Sequence, residues 1–388
     1  MKSNDSKIKY LTFGSPLMDI IVDVDSDFIS RNSLKLDTTN HVDSTLDPVF
    51  RELKAYKAHY IAGGCSYNAI RILNWILSET EENGSVACLG SIGDDLEGKK
   101  YKALLEKENI SSIFETYKEK ITGKCAVICN FRNRVHLTDL GASTLISDDF
   151  VSENWNSIKD VSLVYTELYI LSSRASTVFK LAELCLDNNK TFGFNLPAEF
   201  FLNKFSDQIL QVITYGDVIF ANLEEAKFMV TEVLKQEYTD NSDLAIILAK
   251  LPKKNSSKKR VMVVTCGPDP AIVVIYDHSK NKIEYINNFE PLLVDKENII
   301  DTNGAGDSFA GGFLAYYMTG KSIEDCVFAG HYAAAAIIQK RGVDIPIGKT
   351  PDIYGYKKKF INKKESSSSL ELRDKSLSYS KNNLDLTI

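Results

Sequence analysis

The chain has 388 residues, 44% of them apolar and 25% charged, which is ordinary for a globular protein. Its formal charge is −6, with 46 Lys and Arg against 52 Asp and Glu, so we expect no nucleic acid partner bound through phosphate neutralisation. Seven scattered cysteines and five histidines indicate neither a disulfide scaffold nor a zinc site. The start lacks a signal-peptide pattern, and no apolar run is long enough to span a membrane. These features predict a cytoplasmic or nuclear protein without a membrane partner, and we expect a monomer.

Short β-type runs alternate with helical patterns along most of the chain. The predicted strands are residues 10–13, 20–24, 86–89, 161–165, 191–194, 218–220 and 261–265. Apolar residues at helical spacing predict a helix over 66–77, and another begins near Leu96. Strands that alternate with helices predict an α/β fold, in which a mostly parallel central sheet is flanked by helices on both faces.

Two stretches interrupt this alternation. Residues 20–62 and 113–140 carry strand-like pieces without the helical pattern of a crossover, and residues 125–129 and 135–140 could form a hairpin. We interpret them as a small β-sheet lid over the strand ends, although surface hairpins without such a role also fit. Residues 1–19, 63–112 and 141–361 would then form the large catalytic domain. The Ser-rich segment 362–388 is predicted to be disordered.

The strongest local signal is the sequence DTNGAGD at residues 301–307, which leads into an apolar helical pattern. The first N–H groups of such a helix have no internal partners and carry partial positive charge. Gly304, Ala305 and Gly306 would let an anion approach this backbone. Asp307 is either a helix cap or a base for a hydroxyl that attacks a phosphoryl group. With a reference pKa of about 3.9, Asp307 would take the proton late, as the new bond forms.

A second glycine-rich turn, residues 62–68, precedes the helix predicted over 66–77. Gly63 and Gly64 allow close approach of the backbone to a ligand. The amide of Asn68 can donate to and accept from a vicinal diol, although a tight turn with a surface Asn also fits. Asp19 lies between two apolar runs and could accept hydrogen bonds from two sugar hydroxyls, or it could be a turn carboxylate.

Further polar groups follow later strands. Glu225 could bind Mg²⁺, which prefers oxygen ligands, directly or through water, or it could form a capping box with Asn222 at a helix start. Thr265 and Gly267 lie where a strand opens into a turn, and ligands of open α/β sheets gather at such turns. His331 lies in a helical stretch, where it is either packed core or a ligand contact.

These motifs together resemble the ribokinase-like (PfkB) carbohydrate kinases from about residue 8 to residue 353. DTNGAGDSFAGGF is similar to the C-terminal signature of that family, and AGGCSYNAIRILNWIL resembles the N-terminal motif of its adenosine-phosphorylating branch. SPLMDI, TGKCA, FNLPAEF, FANLEEA and AGHYAA match in the expected order. The resemblance implies a large α/β domain with a small lid, and transfer of the ATP γ-phosphoryl to the 5′-hydroxyl of adenosine, giving AMP.

The resemblance also implies roles for individual residues. Asp307 would be the base and residues 304–306 the anion hole, with Arg134 reaching the transferring phosphoryl from the lid. The residues that would surround adenosine are Leu17, Asp19, Gly63, Gly64, Cys65, Asn68, Cys125, Tyr169 and Asn303. Those that would lie along ATP are Asn222, Glu225, Thr265, Gly267 and His331. Glu225 would bind Mg²⁺ through water, and a monovalent cation could assist.

The sequence departs from the family pattern at two places. Residues 166–169 read TELY where such enzymes usually have a small Ala-Gly pair followed by aromatics. Cys65 takes a place usually held by Ser. Two alternatives therefore stay open: a PfkB-type kinase of ribose, fructose or another nucleoside, and a catalytically silent nucleotide-binding protein.

Overall fold

The computed structural model describes residues 7–36, 38–41, 47–80, 85–130, 133–346, 348–349 and 351–358. By compactness the chain divides into two units, Met1–Lys349 and Thr350–Ile388. Every strand and helix named below lies in the first unit. The predicted disordered segment 362–388 lies outside the described residues.

The strands are numbered in chain order. They are β1 (Tyr10–Phe13), β2 (Leu17–Asp23), β3 (Thr38–His41), β4 (Ala58–Gly63), β5 (Val86–Gly93), β6 (Ser111–Tyr117), β7 (Lys124–Asn130), β8 (Asn133–Asp139), β9 (Leu163–Glu167), β10 (Thr191–Asn195), β11 (Val218–Asn222), β12 (Arg260–Cys266), β13 (Asp269–Asp277) and β14 (Lys282–Phe289).

The α-helices are numbered in the same way. They are α1 (Ser26–Arg31), α2 (Asp47–Leu53), α3 (Cys65–Ile76), α4 (Leu96–Lys107), α5 (Asp148–Glu153), α6 (Trp155–Ile158), α7 (Leu171–Asp187), α8 (Glu199–Lys204), α9 (Ser206–Ile213), α10 (Leu223–Phe228), α11 (Asn241–Lys250), α12 (Ala305–Met318) and α13 (Ile323–Ile337). None of the helices in the described ranges is both long enough and apolar enough to cross a membrane.

The larger of two sheets in the described residues has the strand order β14-β13-β12-β11-β10-β9-β1-β5-β6. Pairing is parallel from β12 to β6, and β13 and β14 complete one edge as antiparallel strands. Every residue of β5 and β9 is buried, as expected for strands covered on both faces. The predicted α/β fold with a mostly parallel central sheet is therefore confirmed.

The smaller sheet has the order β3-β8-β7-β2-β4. It contains the predicted hairpin, since β7 and β8 pair antiparallel with Cys129 opposite Arg134. Its own apolar core includes Phe28 on α1 and Val49 on α2, two short helices that the sequence analysis did not predict.

Two boundaries of the predicted lid differ from the observed strands. Residues 113–117 were assigned to the lid, but they belong to β6, which pairs parallel with β5 at the edge of the large sheet. Residues 17–19 were assigned to the large domain, but they begin β2 and pair with β4 and β7 of the small sheet. In both cases backbone pairing determines which sheet the strand joins, and the hydrophobic pattern of the strand does not reveal its partner.

The carboxyl ends of β9 to β12 meet along one edge of the large sheet. Glu167 pairs in register with Asn195, and Asn222 with Thr265. In parallel sheets this edge is where ligands bind. The turn that follows β1 and the turn that opens α3 reach the same edge, because Ser15 and Ser66 both donate backbone hydrogen bonds to Glu167.

Candidate active site

The turn before α12 presents an open stretch of backbone. Gly304 lies in the left-handed region at φ 72°, and a side chain there would overlap Cγ2 of Val343. Gly306, in the first turn of α12, is exposed, and a Cβ added to it would meet nothing within 4 Å. Ala305 lies between them as the first residue of the helix. The free N–H groups and the helix dipole make this turn a suitable cradle for an anion.

Asp307 lies beside this turn. Its Oδ2 accepts a hydrogen bond from Nδ2 of Asn68 at 3.1 Å, which joins α12 to α3. Burial raises the pKa of Asp307 to about 7, the bond from Asn68 opposes that rise, and the negative charge of Glu167 adds to it. The reference pKa used in the sequence analysis therefore does not apply. A carboxyl group with a pKa near the working pH is suited to general base catalysis.

Asn68 and Asp19 face the same space. Oδ1 of Asn68 is buried and has no hydrogen-bond partner among the described residues, so it is available to a hydroxyl donor. Burial raises the pKa of Asp19 to about 7 against the opposing charge of Arg71, and the charge of Asp307 raises it further. A side chain at Gly63 would overlap the Asp19 carboxylate, so only glycine leaves room for it.

The residues around Asn68 and Asp19 come from four segments, β2, the end of β4, the start of α3, and β7. Leu17 begins β2 and pairs with Gly63 at the end of β4. Gly64, at φ 101°, precedes α3, and Cys65 is the first residue of that helix. Cys125 on β7 pairs in register with Asp19, and burial raises the pKa of its thiol to about 12.

The small sheet touches the start of the DTNGAGD segment. Nε of Arg134 lies 3.3 Å from Oδ1 of Asp301, and its NH2 group donates to the carbonyl of Ile300. Nε2 of His136 lies 2.9 Å from Nδ2 of Asn303. The small sheet therefore contacts the site directly, as a lid would.

Asn222 and Glu225 form the capping box that the sequence analysis kept as an alternative. Glu225 N–H donates to Oδ1 of Asn222, and Asn222 N–H donates to Oε2 of Glu225, both at 2.8 Å. Burial raises the pKa of Glu225 to about 7, with Asp307 contributing. The second carboxylate oxygen of Glu225 lies outside the box, so the box does not exclude a metal role.

The other predicted ATP contacts are Thr265 on β12, Gly267 directly after that strand, and His331 on α13. The Thr265 hydroxyl donates to the Ala221 carbonyl at 3.4 Å, and a Cβ at Gly267 would meet nothing within 4 Å. The ring of His331 packs edge-on against Phe309 at 5.0 Å. Its Nε2 is buried without a partner among the described residues, and burial lowers the pKa of His331 to about 4. His331 is therefore a neutral ring at physiological pH.

Tyr169 follows β9, close to two phenylalanines. Its ring stacks on Phe200 at 6.1 Å and meets Phe201 edge-on at 5.2 Å, while its hydroxyl accepts the N–H of Ala198 at 2.8 Å. Phe200 remains 59% exposed, so this aromatic cluster leaves an apolar surface open to a ligand.

Sequence reasoning missed two polar residues at the strand ends. Glu167 was noted only as a departure from a family pattern, yet its side chain is 3% exposed and receives two backbone N–H groups. Oδ1 of Asn195 is buried without a partner among the described residues. A polar residue at the end of an apolar strand run is the signal that could have identified both.

Comparisons with known proteins agree with this geometry. Residues 35–350 match the family described as pfkB family carbohydrate kinase. The chain is 32% identical over 346 residues to adenosine kinase from Dictyostelium discoideum, covering 88% of this chain and 97% of that protein.

Two solved structures are also similar. Adenosine kinase from Schistosoma mansoni in complex with 2-fluoroadenosine is 30% identical, with a TM-score of 0.78, covering 87% of this chain and 97% of that one. Anopheles gambiae adenosine kinase, at 24% identity and a TM-score of 0.80 over 89% of this chain and 99% of that one, supports the fold. By the family match, which spans most of its length, the chain belongs to the pfkB family of carbohydrate kinases.

Proposed function

We propose that the protein transfers the γ-phosphoryl of ATP to the 5′-hydroxyl of adenosine, giving ADP and AMP. The observation that carries this proposal is the pairing of Asp307 with Asn68 beside the open Gly304–Gly306 turn. The choice of adenosine as the substrate rests on the similar proteins from Dictyostelium discoideum and Schistosoma mansoni, which are both called adenosine kinase.

The acceptor would be held by the segments around α3. Oδ1 of Asn68 accepts one ribose hydroxyl, and the carboxylate of Asp19 accepts another. Leu17, Cys125 and the aromatic cluster at Tyr169 would enclose the purine. An arrangement of this kind fixes the 5′-hydroxyl next to Asp307, and positioning supplies much of the rate of phosphoryl transfer.

Asp307 would then take the proton of the attacking hydroxyl. The new bond joins O5′ to the γ-phosphorus, the bond to the bridging oxygen breaks, and its electron pair leaves on ADP. Charge on the transferring group is met by the N–H groups of the 304–306 turn. Arg134 lies next to this turn, on Asp301, and would add its positive charge to the phosphoryl.

ATP would lie along the carboxyl ends of β11 and β12, against Asn222, Thr265, Gly267 and His331. The free oxygen of Glu225 and the orphaned Oδ1 of Asn195 suit Mg²⁺, which prefers oxygen ligands and keeps several waters. The ion would neutralise charge on the ATP phosphates. We also propose that a monovalent cation assists the reaction. The protein would act as a monomer in the cytoplasm.

The experiment is a substrate panel with a matched variant. ADP production is measured with adenosine, inosine, ribose and fructose, and adenosine is expected to give the highest kcat/KM. Higher activity on a free sugar would favour another sugar kinase, and no activity on any acceptor would favour a silent nucleotide-binding protein.

Asp307→Asn should lower kcat by at least about 10²-fold while adenosine binding stays close to wild type. Because folding raises the pKa of Asp307 to about 7, this group lowers the stability of the fold progressively from about pH 4 to about pH 7, and the loss is complete above that, so the variant should be no less stable at pH 8. Unchanged turnover in this variant would remove Asp307 from its role.

A further inference from the structure

Glu167 is a buried carboxylate that the mechanism above leaves unused. It ends β9, a central strand of the large sheet, and its side chain is 3% exposed. Burial raises the pKa of Glu167, while the hydrogen bonds it accepts from Ser15 and Ser66 oppose that rise. A buried carboxyl group without a paired cation is costly, so its contacts should show what it does.

Its two oxygens connect two separate segments of the chain. Oε1 accepts the N–H of Ser15 at 2.8 Å, in the turn between β1 and β2. Oε2 accepts the N–H of Ser66 at 3.3 Å, in the first turn of α3. A side chain at Gly14 would lie 2.9 Å from Cδ of Glu167, so the turn packs directly on the carboxylate.

Each connected segment delivers one of the residues assigned to the ribose. The turn at Ser15 leads into β2, which carries Asp19 four residues later. The first turn of α3 carries Asn68, two residues after Ser66, and Asn68 in turn holds Asp307. One carboxylate therefore sets the spacing between the two ribose contacts and, through Asn68, the place of the base.

The charge of Glu167 also acts on Asp307, whose pKa it raises. Other groups face Asp307 from the surrounding elements. The titratable ones are Asp19 on β2, Cys65 on α3, Tyr165 on β9 and Glu225 on α10, and the neutral amide of Asn68 is in contact. Among the described residues, Glu167 is the charged group that raises the pKa of Asp307, and it also holds both segments that position the acceptor.

We propose that Glu167 is a positioning residue for phosphoryl transfer, which fixes the turn at Ser15 against the start of α3 and thereby positions Asp19, Asn68 and, through Asn68, the base Asp307. The proposal rests on the function proposed above.

The test compares three variants with the wild type by the pH dependence of kcat/KM. Glu167→Gln removes the charge and leaves only one oxygen to accept the two N–H groups, so kcat should fall and the midpoint assigned to Asp307 should fall by at least about 0.5 pH unit. Glu167→Asp keeps the charge but shortens the reach, so kcat should fall about tenfold or more while the midpoint stays at the wild-type value.

Asp277→Asn is the matched control. Asp277 is also buried and also accepts two backbone N–H groups, from Ser279 and Lys280, but it lies at the opposite end of the sheet. This variant should keep the wild-type midpoint and kcat.

A folded Glu167→Gln variant with wild-type kcat and midpoint would overturn the proposal. Wild-type kcat and KM in Glu167→Asp would also overturn it, and this variant decides the case if Glu167→Gln fails to fold. The assays use whichever acceptor the wild type phosphorylates best, so failure of the adenosine proposal would appear separately, in the substrate panel.

Discussion

The glycine turn before α12 allows a test that separates catalysis from folding. Gly306 lies inside α12 and faces open space, so Gly306→Ala adds a methyl group without a clash. Alanine is also about 1 kcal/mol more favourable than glycine within a helix. We therefore expect the variant to be as stable as the wild type or slightly more stable.

The same methyl group would project into the space proposed for the transferring phosphoryl. Loss of one such N–H contact lowers kcat by about 10²–10³-fold. Thermal unfolding and steady-state kinetics with ATP and adenosine measure the two effects on the same sample. The expected result is a melting temperature within about 2 °C of the wild type, or above it, with kcat reduced at least 10²-fold.

Gly304→Ala is the companion variant. Its residue would be held at a positive φ and would overlap Val343, which costs about 1–3 kcal/mol in strain and further in packing. It should lose stability as well as activity. If Gly306→Ala kept kcat within twofold of the wild type, the turn would not be the anion cradle and the reasoning would be wrong.

Three further predictions concern the base, the lid and the core. Asp307 must be ionised to accept a proton, and its pKa is about 7, so kcat/KM should rise with pH to a plateau above about pH 8; a flat profile from pH 6 to 8 would contradict this. Arg134→Ala should lower kcat more than it raises the KM for adenosine, whereas a pure binding defect would contradict its proposed place beside the phosphoryl. Glu108→Gln breaks the buried ion pair with Arg71, 2.6 Å apart, and should cost about 3–5 kcal/mol in denaturant unfolding. The exposed ion pair between Arg31 and Glu52 offers the control, because Glu52→Gln should cost less than about 1 kcal/mol.

The sequence predicted the large sheet well because its central strands are covered on both faces. Such strands are continuous apolar runs, and the runs at 191–194 and 261–265 match β10 and β12 closely. The glycine turns at 63–64 and 304–306 were also found, because close approach of the backbone requires glycine there.

Features that depend on sheet partners were not predictable in the same way. The edge strand β6 is largely exposed, so its pattern does not show whether it joins the large or the small sheet. The contacts of Glu167 join residues 101 and 152 positions apart, and only the folded strand order reveals them. The pKa of Asp307 likewise depends on burial and on the charge of Glu167, which lies on β9.

The acidic surroundings of the site have a consequence for product release. A nucleoside enters the cleft uncharged, whereas a nucleotide product carries close to two negative charges on its phosphate. Above a pH of about 7, where Asp19 and Asp307 are ionised, their charges oppose the attraction of the 304–306 turn and Arg134 for that anion once ADP has departed. The pocket that admits an uncharged nucleoside should therefore hold a nucleotide less tightly as the pH rises, which should weaken product inhibition at alkaline pH.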